Sequence, residues 1–87
     1  MSEPTFLTTL GARIKQLRLE KNMTQNELSI QCNFEKASMS RIESGKINVT
    51  ILTLKKISSA LEVDMTEFFK VEQSEPRIAE MPLNKVI

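Results

Sequence analysis

Apolar residues recur at helical intervals from Phe6 to Phe69, and polar punctuation divides them into short runs. Phe6, Leu7, Leu10, Ile14 and Leu17 have helical spacing, with Arg13, Lys15, Gln16 and Arg18 between them. This predicts a first helix over residues 6–21, capped by Ser2 or Thr5, weakened locally by Gly11 and stopped at Asn22. Met23 then occupies the hydrophobic-staple position ahead of a T-x-x-E capping box, Thr24 to Glu27, which starts a second helix over residues 24–32. Leu28 and Cys32, four apart, share one face of it. Asn33 accepts a left-handed backbone and ends the helix. After the apolar Phe34, a third helix is predicted over residues 35–44, with Met39 and Ile42 inward and Gly45 just past its end. Residues 46–49 connect it to Thr50, the cap of a fourth helix over residues 51–61, on which Leu54, Ile57 and Leu61 form the apolar stripe. Glu62 and Val63 make a turn. Asp64 caps a last short helix over residues 65–69, with Glu67 at its third position as a second capping box. Two short helices joined by a tight turn, residues 24–44, constitute a helix-turn-helix.

That stretch, TQNELSIQCNFEKASMSRIESGK, resembles the motif of the phage repressor and Cro class, the Cro/C1-type or xenobiotic-response-element-like bacterial regulators. Gln25 matches the family's glutamine at the start of the first motif helix. Ser29 sits where the family wants a small residue, because the two helices touch there. Asn33 takes the place of the usual turn glycine. Cys32, Phe34, Met39 and Ile42 fall at its apolar positions, and SRIESGK is close to its usual ending. The likeness extends through LGARIKQLR before the motif and TLKKISSALEVDMTEFF after it, about residues 10–69. Several unlike constraints agree in order and spacing, which is more specific than helical spacing alone. The resemblance implies an all-α fold, a compact five-helix bundle of the lambda-repressor-like type, over residues 1–70. Residues 71–87, with two prolines and mixed charge, read as a tail whose apolar end, MPLNKVI, suits dimerisation or partner docking.

Composition narrows the chemistry. Eighty-seven residues make one domain at most, with a core that is marginal unless the helices pack well or the chain oligomerises. One cysteine forms no internal disulfide, and with no histidine it excludes the common zinc sets, so no metal and no cofactor are expected. Lacking histidine and any phosphate loop, the chain shows no catalytic constellation, and an enzyme is not expected. There is no apolar run of transmembrane length, and MSEPTF has neither the basic nor the apolar part of a secretory signal, so the expected location is the cytoplasm, at the bacterial nucleoid, without membrane contact. The net charge of +1 argues at first against nucleic acid. Its distribution reverses that: residues 1–61 carry net +4 and residues 62–87 net −3.

Candidate residues follow from the third helix. With Met39 inward, Ala37 and Arg41 point roughly opposite, Ser44 lies near them, and Lys36 and Ser40 flank that face. Arg41 is the leading base reader, since its fork bonds guanine O6 and N7 together, worth roughly 1–3 kcal/mol of discrimination. Lys36 suits guanine or phosphate, Ala37 a thymine methyl, and Ser40 either a base or a phosphate. The plainer alternative, an ordinary solvated helix face, is outweighed only by the family likeness. Glu35 departs from the family, where Ser, Thr or Asp commonly caps this helix; it reads as a cap substitute or as an acceptor for cytosine N4. Gln25, Ser44, Lys46, Asn48 and Thr50 are the phosphate-binding candidates, Gln25 also bracing the third helix by analogy with the family. Asn48 and Thr50 serve equally as turn and cap. Arg18 and Glu43 resemble the family's ion pair between the first and third helices. Val63, Met65, Phe68, Phe69 and Val71 are candidates for a homodimer surface, because two adjacent phenylalanines cannot both face one core easily.

The reading is a dimeric, sequence-specific regulator of transcription on double-stranded DNA. Short stand-alone relatives of this pattern include restriction–modification controllers, Cro-like repressors and antitoxins. The alternative is a protein-interaction module that keeps the fold but binds a partner protein, antitoxin-like, through the fifth helix and the tail.

Overall fold

The computed structural model describes residues 3–70 of the chain, and side-chain surroundings from residue 5. Four α-helices follow in order: α1 Glu3–Glu20, α2 Gln25–Cys32, α3 Lys36–Glu43 and α4 Ile51–Leu61. The fifth element, Met65–Phe69, is a 3-10 helix. The expected five-helix bundle is therefore four α-helices closed by one 3-10 turn, all-helical among the described residues. Val71 and the tail over residues 71–87, including MPLNKVI, lie outside the described residues, as does Ser2.

Local chemistry sets the element ends. Thr24 Oγ1 accepts from Glu27 N at 3.0 Å and Glu27 Oε1 accepts from Thr24 N at 2.8 Å, so the capping box is closed in both directions. Thr50 Oγ1 accepts from Thr53 N at 3.1 Å to start α4. Each α-helix then stops in the same way. Asn22, Asn33, Gly45 and Glu62 adopt left-handed backbone, with φ of 58°, 62°, 74° and 59°. The next residue's N–H reaches back to a carbonyl of the last turn: Met23 to Arg18, Phe34 to Ser29, Lys46 to Arg41 and Val63 to Ser58. This is the Schellman motif, and Met23, Phe34 and Val63 also pack partly buried against the core.

The core is built on Ile14, Leu28, Met39, Ile57, Leu61 and Phe68, all nearly inaccessible. Two glycines bring α1 close to the end of α3. A Cβ on Gly11 would clash with the carbonyl of Ile42 and stand 2.5 Å from that of Glu43. One on Gly45 would stand 2.6 Å from Thr8 Cα, at a φ that already favours glycine. Gly11, a weak point in the helical pattern, is thus a packing requirement.

Three local expectations are corrected. Thr5 does not cap α1, because the helix begins at Glu3 and Thr5 is inside it. Glu67 closes no capping box. Its carboxylate instead accepts from Arg13 Nη2 at 3.1 Å and Lys70 Nζ at 3.0 Å, while Arg13 Nε also donates to the Glu67 carbonyl at 2.6 Å. A partly buried ion pair to α1 outcompetes an exposed cap bond. Finally, Glu35 holds the cap position of α3, but its side chain makes no cap hydrogen bond.

Candidate nucleic-acid interface

α3 is two-sided. Met39 and Ile42 are buried at 0% and 3% exposure, and Glu43 is buried beside them. Lys36, Ala37, Ser40, Arg41 and Ser44 are exposed. The side chains of Lys36, Ser40 and Arg41 make no hydrogen bond or ion pair to any described residue. Ser44 is tied back to its own helix, its hydroxyl donating to the Ser40 carbonyl at 2.8 Å.

The inner side of α3 is locked by a buried polar cluster. Arg18 donates from Nε to Glu43 Oε2 at 2.7 Å and from Nη2 to Oε1 at 3.0 Å, and from Nη1 to the Met23 carbonyl at 2.7 Å. Gln25 Nε2 adds a bond to Glu43 Oε1 at 3.0 Å. The end of α1, the start of α2 and the end of α3 thus meet at one carboxylate. No buried side-chain nitrogen or oxygen among the described residues lacks a partner. Charge-assisted, bidentate bonds of this kind fix orientation more tightly than apolar contact does.

The flanking elements present backbone donors. Thr24 satisfies Glu27 N, so the first N–H groups of α2, at Gln25 and Asn26, stay free of acceptors among the described residues. Thr50 satisfies Thr53 N and donates its own proton to Thr53 Oγ1 at 3.0 Å, so its hydroxyl is committed to the cap of α4. Lys46 and Asn48 are exposed on the connection before it. Asn48 and Thr50, with Phe34, Ser38 and Ile47, border a cavity of about 230 Å³ between that connection and α3.

The dimer candidates divide. Phe68 is 1% exposed and belongs to the core, so it is removed from any surface. Val63 and Met65 are half-buried against that core. Phe69 is 49% exposed. The sequence reading missed Ile51 and Leu52, exposed at 67% and 75% on the first turn of α4. A signal existed: Leu52 lies about 200° around the helix from Leu54, off the apolar stripe. The Arg13–Glu67 clamp was also missed, and residues 54 apart leave no local trace.

Cys32 is buried at the end of α2, and burial pushes its thiol up, with Lys56 opposing weakly. It behaves as a small core residue. No described group of three or more His, Cys, Asp or Glu is arranged to hold a metal, and no described helix is long and apolar enough to cross a membrane.

A family model for the Helix-turn-helix matches residues 14–68. Control protein C.BamHI of Bacillus amyloliquefaciens is 35% identical over 71 residues, 77% of this chain and 88% of that protein. Control protein C.MunI of Mycoplasma sp is 37% identical over 60 residues, 68% of this chain and 81% of that one. The crystal structure of the restriction-modification controller protein C.AhdI from Aeromonas hydrophila superposes with a TM-score of 0.73 at 26% identity, over 75% of this chain and 98% of that one.

Proposed function

The chain belongs to the helix-turn-helix family of Cro/C1-type regulators, and from that premise we propose that it is a sequence-specific regulator of transcription acting on double-stranded DNA. One observation carries the reading. α3 is held rigidly from behind by Met39, Ile42 and the Arg18–Glu43–Gln25 cluster, while Lys36, Ser40 and Arg41 face solvent with no described partner. A rigid helix with idle donors suits the major groove, whose base edges differ for all four pairs. In this reading Arg41 bonds guanine, Lys36 and Ser40 flank it, and Ala37 lies against a thymine methyl. Gln25 with the free N–H groups of α2, and Lys46 and Asn48 before the start of α4, grip phosphates on either side, while the hydroxyls of Ser44 and Thr50 serve their own helices. The family level also supports a binder rather than an enzyme, and a place in the cytoplasm.

A single domain of this size buries little DNA, so the functional unit is a two-fold dimer on an inverted repeat, with half-sites about 34–36 Å apart. Phe69, 49% exposed, with the half-buried Val63 and Met65, supplies the dimer surface. Residues 1–70 form the DNA-binding domain. The similarity to C.BamHI, C.MunI and C.AhdI makes control of restriction–modification genes the favoured setting.

The test is selection of bound sequences from random duplex DNA by wild type and Arg41→Ala in parallel. An inverted repeat for wild type, with one base position relaxed in the variant, is the expected result. Affinity should also fall steeply between about 50 and 200 mM salt as counterions are released. Absence of any enriched sequence at low salt would overturn the reading in favour of a protein-binding module.

A further inference from the structure

The starts of α2, α4 and the 3-10 helix share one device, which α3 lacks. Thr24, Thr50 and Asp64 each accept a backbone N–H of the turn they begin. Glu35 occupies the equivalent position before Lys36, with extended backbone at φ −79° and ψ 150°, yet its side chain accepts nothing. The reason is length. A capping oxygen must sit one bond beyond Cβ or nearly so, and the second methylene of glutamate carries its carboxylate past the N–H groups. Glu35 is exposed; its carbonyl accepts from Ser38 N and Met39 N as the first bonds of α3, but its carboxylate makes no hydrogen bond or ion pair to any described residue. A full negative charge is therefore left unengaged at the tip of the one helix that faces outward with Lys36 and Arg41.

Between DNA strands such a charge is repelled by phosphate and by the acceptor atoms of guanine and thymine. Only the exocyclic amines of cytosine and adenine donate in the major groove, and adenine sets the N7 acceptor beside its amine. Cytosine offers N4–H with no neighbouring acceptor on its own ring. The positive end of α3 and the Lys36 ammonium reduce the cost of bringing the carboxylate there. We infer that Glu35 is a specificity-determining residue, accepting a hydrogen bond from the N4 amine of a cytosine in each half-site. This rests on α3 lying in the major groove.

The experiment compares wild type, Glu35→Gln and Glu35→Ala by the same random-duplex selection. Direct titration of the selected site follows, with cytosine or N4-methylcytosine at the position concerned. The methyl group replaces the N–H that faces the groove and leaves the pairing N–H in place. Wild type should prefer cytosine there by roughly tenfold or more. Glu35→Ala should relax that position alone, and Glu35→Gln should shift it toward adenine, which an amide bonds at N6 and N7 together. Methylation should weaken wild type by about tenfold and Glu35→Ala by less than about twofold, since only the N4 contact is removed. Identical base preferences in all three proteins, or equal weakening of wild type and Glu35→Ala by the methyl group, would overturn the assignment while leaving the DNA reading intact. No enriched sequence for wild type would overturn both. Circular dichroism confirms that each variant is folded, which the exposed, unpartnered position of Glu35 leads us to expect.

Discussion

Glu43→Ala is the sharpest probe of the buried cluster. It strips two bonds from Arg18 and one from Gln25, leaving a guanidinium whose side chain is only 7% exposed with the Met23 carbonyl as its remaining partner. Removing one partner of a buried pair costs about 3–5 kcal/mol, because the other charge stays desolvated. A domain of this size holds roughly 4–10 kcal/mol in total. The variant should therefore lose about three-tenths or more of its stability, and its midpoint should fall by at least about 12 °C at 4–8 °C per kcal/mol. Replacing both charges by apolar residues, Arg18→Met with Glu43→Leu, should cost less than either single change, since the desolvation penalty disappears with the charges. The chain has no tryptophan or tyrosine, so urea melts are followed by far-ultraviolet circular dichroism. A loss below about 1 kcal/mol for Glu43→Ala, or strict additivity in the double variant within about 0.5 kcal/mol, would refute the reasoning. The double variant also separates scaffold from site: folded but without the Gln25 brace, it should bind DNA more weakly than its stability explains.

Other outcomes follow from single side chains. Glu62 sits in left-handed backbone at φ 59°, which costs a non-glycine residue roughly 1–2 kcal/mol, so Glu62→Gly should stabilise by about 0.5–1 kcal/mol after the added chain entropy, read as a midpoint a few degrees higher; a lower midpoint would contradict this. Phe68→Asp removes the largest fully buried side chain and buries a charge, at about 3–5 kcal/mol or more, and should abolish the helical signal, whereas Phe69→Asp should keep it and halve the mass in sedimentation. Unchanged mass in Phe69→Asp would move the dimer surface elsewhere. Hydrogen bonds from the backbone N–H and hydroxyl of Thr66 hold the Asp64 carboxyl below the usual aspartate range. A lowered folded value contributes stability above the ordinary range, lost as pH falls through the folded value, so wild type should weaken more steeply in acid than Asp64→Asn. Parallel acid limbs would rule that contribution out.

What the sequence determined by itself is where the helices of the motif and α4 begin and end. Thr24 with Glu27, Asn33, Gly45 and Thr50 act through bonds to backbone within five residues, so their identity and spacing suffice. The outward placement of Lys36, Ser40 and Arg41 followed likewise from the period of α3 once Met39 and Ile42 were taken as inward. Tertiary structure decided the rest. Which of Phe68 and Phe69 enters the core depends on the turn of a 3-10 segment against α1 and α4, and no local pattern distinguishes the two. The Glu67 carboxylate had a local use as a cap and a distant one with Arg13, and packing brought the stronger partner within 3.1 Å. Gly11 is a defect in a helix read alone, and a necessity only once the carbonyls of α3 lie against it. Short-range hydrogen bonds are settled by neighbouring residue identities. Choices between competing partners are settled by which surfaces the closed bundle brings together.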